Sequence, residues 1–460
     1  MRIASAIASA LAALSLASAA SAQDFAITGA TVATGDGSEP IENGTVVVRG
    51  GRVVAAGSGV AIPAGIQVYD GSGTWVTPGL FAAATDLGLW DVGAVAESND
   101  VSAGNAPFSA ALDVAPAINP ASQHIAISRE GGVTRATVMP ATGSTIFAGQ
   151  GAVIDLGADM DAVTRPRAFQ FVEMGESGAR LAGGSRTAAH ALLRSALREA
   201  REYGGRAGIA GGTGRPAESR TGDDLPIDPR LAGRDQADRN SDVLLTRFDA
   251  AALVPVLEGS QPLYVHVERA ADIRSALALT REFPGLDLVL VGVSEGWLVA
   301  REIAAAGVPV ITMPLTDLPE RFEELAATQS NAGRMKDAGV KVAIGLLMGM
   351  NQPRFAPQQA GNLVALNNVP GATGMTWGEA FAAITSVPAE ISGMGGRAGV
   401  LRAGAMGDVV VWDGDPLEVS SAPVRVFIDG IEQPLDNHQS RLAERYRDLD
   451  ESDLPKAYDW

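Results

Sequence analysis

The chain has 460 residues, 46% hydrophobic and 19% charged, which supplies apolar material for a large core and argues against disorder. Its 53 Asp and Glu against 35 Lys and Arg give a net charge of −18, which repels phosphate backbones and anionic lipid and sets aside nucleic acid and membrane surfaces as partners. There is no cysteine, so disulfides, thiolate metal sites and a cysteine nucleophile are excluded.

Arg2 is followed by an Ala/Leu/Ile run from Ile3 to about Ala19 and then by Ala20-Ser21-Ala22, a small-x-small cleavage site. This reads as a secretory signal peptide over 1–22, cut before Gln23, with an uncleaved anchor as the other reading. The mature protein is expected to be periplasmic or secreted, with no membrane insertion after cleavage. From Phe25 to Val76 the pattern predicts short strands: Ala26-Ile27-Thr28, Gly44 to Arg49, a turn at Gly50-Gly51, and Arg52 to Ala56. The middle alternates two periodicities. Helices are predicted after residue 187, over 248–258 with Pro255 expected to kink or shorten it, and over 270–283, 295–306 and 321–338. Strands are predicted over 262–267, 287–293, 308–313 and 340–345. Such strand–helix repeats argue for a parallel sheet, open or closed. Residues 205–247 read as a long Gly-, Arg- and Asp-rich loop, and strands three and four find no placement between 141 and 247. Near the C-terminus, Gly407 to Trp412 and Val424 to Gly430 read as strands separated by the turn Asp413-Gly414-Asp415-Pro416. Two β-rich ends around a different middle suggest one small sandwich assembled from both termini. The charged tail, 436–460, is either solvated or one amphipathic helix through Leu442, Tyr446 and Leu449.

Three segments carry a family resemblance. Val76-Thr77-Pro78-Gly79-Leu80-Phe81 resembles the "V-x-P-G-L-I-D" lead-in to the first barrel strand of amidohydrolases. Gly399-Val400-Leu401 through Gly404, then Gly407 to Pro416, resembles their closing "G-x-L-x-x-G-x-x-A-D-L-V-V-W-D-G-D-P". Val265 to Ile273 resembles "V-H-A-H-R-A-D-D-I" of the imidazolonepropionase-like branch, which includes exported peptidase-like members. The resemblance implies an α/β fold: a (β/α)8 TIM-like barrel over 78–397, inserted in a composite β-sandwich over 23–77 and 398–435. It also implies one or two divalent metals at the C-terminal strand ends and hydrolysis of C–N bonds in amides, cyclic amides and some dipeptides.

The metal positions that the resemblance implies are largely altered. Where the family has His-x-His ending strand 1, this chain has Ala84 and Asp86; two residues apart on a strand, they would share a face. The strand 5 pattern keeps His266 and places Glu268 at the second position. The strand 6 ligand position is Gly292, and the strand 8 aspartate position is Leu347. Only three lysines exist, Lys336, Lys341 and Lys456, so a bridging mid-barrel lysine is impossible. A catalytic zinc normally takes three protein ligands and a water. Of the four histidines, His124 reads as surface or helix-packing, and His190 and His438 are not placed to rebuild a site. His266 is either a relict bonded inside the barrel mouth or a ligand or base acting with Asp86 and Glu268. Leu347 is expected to fill part of the vacated site. Two functions follow. One is an exported, metal-free pseudoenzyme that binds a small molecule or an active relative. The other is a hydrolase of amides or dipeptides using Asp86, His266 and Glu268, with one divalent metal (zinc) or with none.

Overall fold

The computed structural model describes residues 22–211, 244–349 and 352–447; residues 1–21 of the expected signal peptide lie outside them, as do the middle of the 205–247 segment and the end of the tail. Among the described residues no helix is long and apolar enough to cross a membrane.

The sixteen strands among the described residues divide between two sheets. The first sheet draws β1 (Phe25–Val32), β2 (Ile41–Arg49), β3 (Arg52–Gly57), β4 (Gln67–Asp70) and β5 (Trp75–Pro78) from the N-terminal part of the chain. Strand β1 switches partners along its length: Phe25–Thr28 pairs with β4, and Thr31–Val32 pairs with β5. The same sheet receives strands from the other end of the chain, described below, so both termini build it. Its core packs Phe25, Ile27, Val46 and Val48 against Phe427, with the Phe25 and Phe427 rings stacked at 4.3 Å.

The second sheet is an eight-stranded barrel: β6 (Leu80–Thr85), β7 (Val133–Val138), β8 (Phe147–Asp155), β9 (Val163–Glu173), β10 (Leu263–Val267), β11 (Leu288–Gly292), β12 (Val310–Thr312) and β13 (Val342–Ile344), neighbours in chain order. The edges β6 and β13 meet at one parallel bridge, Ala83 to Gly345, with Leu346 N–H donating to the Ala83 carbonyl at 3.2 Å. Inward-facing Phe81, Phe169, Phe171, Tyr264, Val289, Val291, Ile311 and Ala343 fill the interior. The alternate residues, among them Leu263, Val265, Leu290, Val310 and Val342, pack outward in the cluster that also holds Leu193 and Leu253 from the surrounding helices.

One barrel strand departs from the expected βα repeat. Strand β8 is antiparallel to both β7 and β9. The reason is connection length. Only residues 139–146 and 156–162 link these strands, and a parallel crossover needs a dozen residues or more. The missing strands three and four are therefore a meander with no helix between them.

Two helices differ from expectation and one matches it. Arg186–Gly211 runs through the start of the expected loop. Arg247–Leu257 contains Pro255, as the sequence indicated. Of the expected 321–338 helix only Asn331–Asp337 forms, because the backbone of 320–330 is engaged elsewhere: Ala326 N–H donates to Glu295 and its carbonyl accepts from Trp297 Nε1. The tail contributes the helix His438–Arg445.

Strands β14 (Val409–Trp412), β15 (Pro423–Ile428) and β16 (Ile431–Glu432) return the chain to the first sheet, where β14 pairs antiparallel with β5. An ion triad around the buried Arg135 and Asp408 ties barrel to sheet. Arg135 of β7 donates to Asp408 at 2.6 and 3.2 Å and to Asp429 at 2.7 Å.

Candidate functional site

The polar residues of interest stand where the barrel strands end. Regular alternation gives way there. Ala84 (φ 54), Val293 (φ 62) and Leu346 (φ 60) all have left-handed backbones, as does Gly292 (φ 89). For a β-branched valine this is a costly conformation, of order 1–3 kcal/mol, and such strain gathers at functional sites. The left-handed turn also corrects the strand 1 expectation: Ala84 is no longer in regular alternation with Asp86, and β6 ends at Thr85. Ala84 is fully buried against the barrel interior, its N–H donating to Thr137 Oγ1 at 2.7 Å. Asp86 accepts from the Gly349 N–H at 3.2 Å through both oxygens, in the loop after β13.

His266 of β10 and Glu268, just past the end of that strand, meet. The imidazole Nε2 lies 2.9 Å from Glu268 Oε1. Its Nδ1 lies 2.9 Å from Glu173 Oε1, the last residue of β9 and the direct cross-strand neighbour of His266. The other Glu268 oxygen accepts from Ser294 N–H and Oγ–H, both at 2.7 Å. Burial opposes a charged imidazole here, but Glu173 and then Glu268 outweigh it and hold His266 well above its ordinary value. Burial likewise opposes ionisation of Glu268, yet bonds from His266 and Ser294 hold its carboxyl below the usual range. The state this favours is an imidazolium donating from both nitrogens to two carboxylates.

Gly292 makes the arrangement possible. A Cβ at this position would stand 2.4 Å from Glu268 Oε1 and 2.9 Å from His266 Nε2. The carboxylate of Glu268 occupies the space that a side chain at 292 would need. Leu347 does not do the same at the strand 8 position. It is buried in the outer cluster with the helices, and Leu346 and Met348 pack against the barrel interior instead. The left-handed Leu346 reverses the alternation that pointed to 347.

Glu173 was not among the expected site residues. Its one sequence signal is an acidic residue closing the run Phe169–Val172. Glu323, also missed, comes from the segment between β12 and the helix Asn331–Asp337, with its carboxylate near Glu173 and its charge interacting with His266. The remaining histidines lie apart from this set. His124 is buried, Nε2–H donating to the Asp91 carbonyl at 3.0 Å and its ring 4.6 Å from that of Trp90. His190 contacts Arg194, and His438 opens the tail helix.

The donors do not fit a metal centre of the kind the resemblance implies. Among the described residues no three His, Cys, Asp or Glu side chains are arranged to share an ion. Both nitrogens of the one imidazole at the strand ends are already bonded to carboxylates, and positions 84, 292 and 347 offer no donor atom.

The barrel and the sheet built from both termini give the fold that the family resemblance implied. Residues 299–430 match the model of the Amidohydrolase family. The crystal structure of an amidohydrolase from Thermotoga maritima MSB8 has the same fold, with a TM-score of 0.75 and 23% identity over 89% of this chain and 99% of that one. A stretch of 60 residues is 50% identical to amidohydrolase tasK of Hapsidospora irregularis; it spans 13% of this chain and only 6% of that protein.

Proposed function

We propose that this protein is an exported, metal-free amidohydrolase relative that binds a small molecule, or an active relative, at its barrel mouth and does not hydrolyse a substrate. One observation carries the reading: His266 gives one nitrogen to Glu173 and the other to Glu268, and Glu268 fills the space over Gly292. To bind a metal, His266 would have to give up a charge-assisted bond, and a bond of this kind contributes about 1.5–3 kcal/mol. Export, to the periplasm or medium, rests on the signal-like residues 1–22. Element analysis of the protein purified from zinc-supplemented culture is the test, paired with a thermal melt in EDTA. The reading expects well under one metal per chain and an unchanged melt. A stoichiometric zinc, manganese or iron content, or a melt that falls in EDTA and recovers with zinc, would overturn it.

A second reading draws on the survival of buried ionisable groups at this mouth. An imidazolium held between carboxylates suits proton donation to a leaving amine better than proton abstraction from water. In that reading the protein hydrolyses small amides or dipeptides, with His266, Glu268 and Asp86 acting as acid/base groups. Rates over an amide and dipeptide panel, compared between the native protein and His266→Ala, separate the two readings. Equal rates in both proteins dispose of the hydrolase.

A further inference from the structure

We infer that the barrel mouth contains a seat for a small carboxylate, built around the Arg186 guanidinium, and that the chain's own Glu323 occupies it when no ligand is bound. This deepens the binding-protein reading above, on which it rests.

The segment between β12 and the helix Asn331–Asp337 is turned against its own polarity. Leu318, Phe322 and Leu325 are 77%, 82% and 66% exposed, whereas the carboxylate-bearing side chain of Glu323 is wholly buried. Burial of a carboxylate is unfavourable unless its oxygens are satisfied. One of them is: Oε2 accepts from Arg186 Nη2 at 2.8 Å and from the Glu176 N–H at 2.7 Å. The other, Oε1, is buried and has no hydrogen-bond partner in the protein. It sits in the room left by Gly175, where an added Cβ would meet both Glu323 oxygens at 2.9 Å and Glu173 Oε1 at 3.2 Å. The unsatisfied oxygen therefore shares a small space with a second carboxylate, and burial pushes the Glu323 carboxyl up from its ordinary value. A carboxylate serving purely as an anchor would be expected to have both oxygens bonded.

The seat itself does not depend on the segment. Arg186 opens the helix Arg186–Gly211, and its Nε donates to Asp272 at 2.7 Å. Asp272 is held in turn by Arg269 at 3.1 Å; Arg269 and Asp272 belong to the motif that contains His266 and Glu268. This fixes the guanidinium from behind and leaves its Nη2 for an anion. A quarter of the Arg186 side chain remains exposed, so a ligand can approach. A fixed guanidinium beside a free backbone N–H is the chemistry that recognises a carboxylate, and the group bound there is one. A small molecule bearing a carboxylate would take over the Arg186 and Glu176 contacts, and Glu323 with its segment would move out of the mouth. Because Glu323 competes, the intact protein binds such a ligand more weakly than the bare seat would.

The test is calorimetric titration with N-acetylglycine, using N-acetylglycinamide as the neutral control, on folded protein of measured metal content. The native chain is expected to bind the acid and not the amide. Glu323→Ala is expected to bind the acid at least about tenfold more tightly, because the competing occupant is gone. Arg186→Met is expected to bind neither. Should Arg186→Met fail to fold, Glu323→Gln replaces it: the side chain keeps its size but loses its charge, and tighter binding than native is again expected. The inference is overturned if Glu323→Ala binds no more tightly than native, if the amide binds as well as the acid, or if Arg186→Met keeps its affinity. Stoichiometric metal together with this binding pattern would sink the metal-free reading alone, and metal-free protein without the pattern would sink the carboxylate seat alone.

Discussion

Gly292→Ala should destabilise the protein far more than adding one methyl group suggests, and the reason is local. Alanine pays for the left-handed backbone at φ 89, roughly 1–2 kcal/mol. Its Cβ would also lie 2.4 Å from Glu268 Oε1 and 2.7 Å from the carboxyl carbon, so Glu268 must leave His266. Losing that charge-assisted hydrogen bond adds about 1.5–3 kcal/mol, for a total of roughly 2.5–5 kcal/mol. The two contributions separate in a double-mutant cycle with Glu268→Ala, measured by guanidinium denaturation followed by circular dichroism. In the Glu268→Ala background the carboxylate is absent, and Gly292→Ala should then carry only the backbone strain and the remaining approach to His266 Nε2 at 2.9 Å. The coupling energy between positions 292 and 268 should therefore be about 1.5–3 kcal/mol. Additive effects, with a coupling below about 0.5 kcal/mol, would refute the claim that the space over Gly292 is held for the Glu268–His266 pair.

Two further predictions rest on buried charge. Arg135→Met strands Asp408, which is 2% exposed, without its cation, and should destabilise by about 3–5 kcal/mol in the same denaturation assay; Arg135→Met with Asp408→Leu should recover most of that, and no recovery would count against the ion triad as the cause. His266 has a folded-state pKa above its unfolded one, so the stability it contributes is fully present below about pH 6.5 and is lost as pH rises through the folded value. The stability difference between the native protein and His266→Asn should accordingly be flat from about pH 5.5 to 6.5 and shrink on the alkaline side; a difference that grows with pH would contradict the imidazolium.

Much of the fold could be read from residue patterns, and the exceptions have physical causes. The motif at Val76–Phe81 became the step from β5 into β6, and Gly407–Trp412 became the strand that closes the first sheet on β5. The βα units from Leu263 onward were visible because each short apolar strand is followed by a helical period. Strands β8 and β9 were not, because most of β8 and the second half of β9 bury residues on both faces and β8 joins its neighbours through short loops, a pattern that resembles neither a βα unit nor an alternating hairpin. The segment 321–330 reads as helix locally and is held open by Glu323, Ala326 and their partners in other loops. Within the site, strand periodicity alone put His266 and Glu268 on one face. Glu173 could not be found this way, since it lies 93 residues from His266 and becomes its neighbour only through the β9–β10 register. Leu347 misled because the left-handed Leu346 before it reverses which side chains face inward.

On the proposed reading His266 is a doubly bonded imidazolium with no nitrogen free for a metal. Long-range proton–nitrogen correlation spectra of 15N-histidine-labelled protein at neutral pH test it most directly. Two protonated ring nitrogens are predicted for His266, unchanged by excess zinc and altered in both Glu173→Gln and Glu268→Gln. A neutral tautomer whose unprotonated nitrogen shifts on adding one equivalent of zinc would contradict the account.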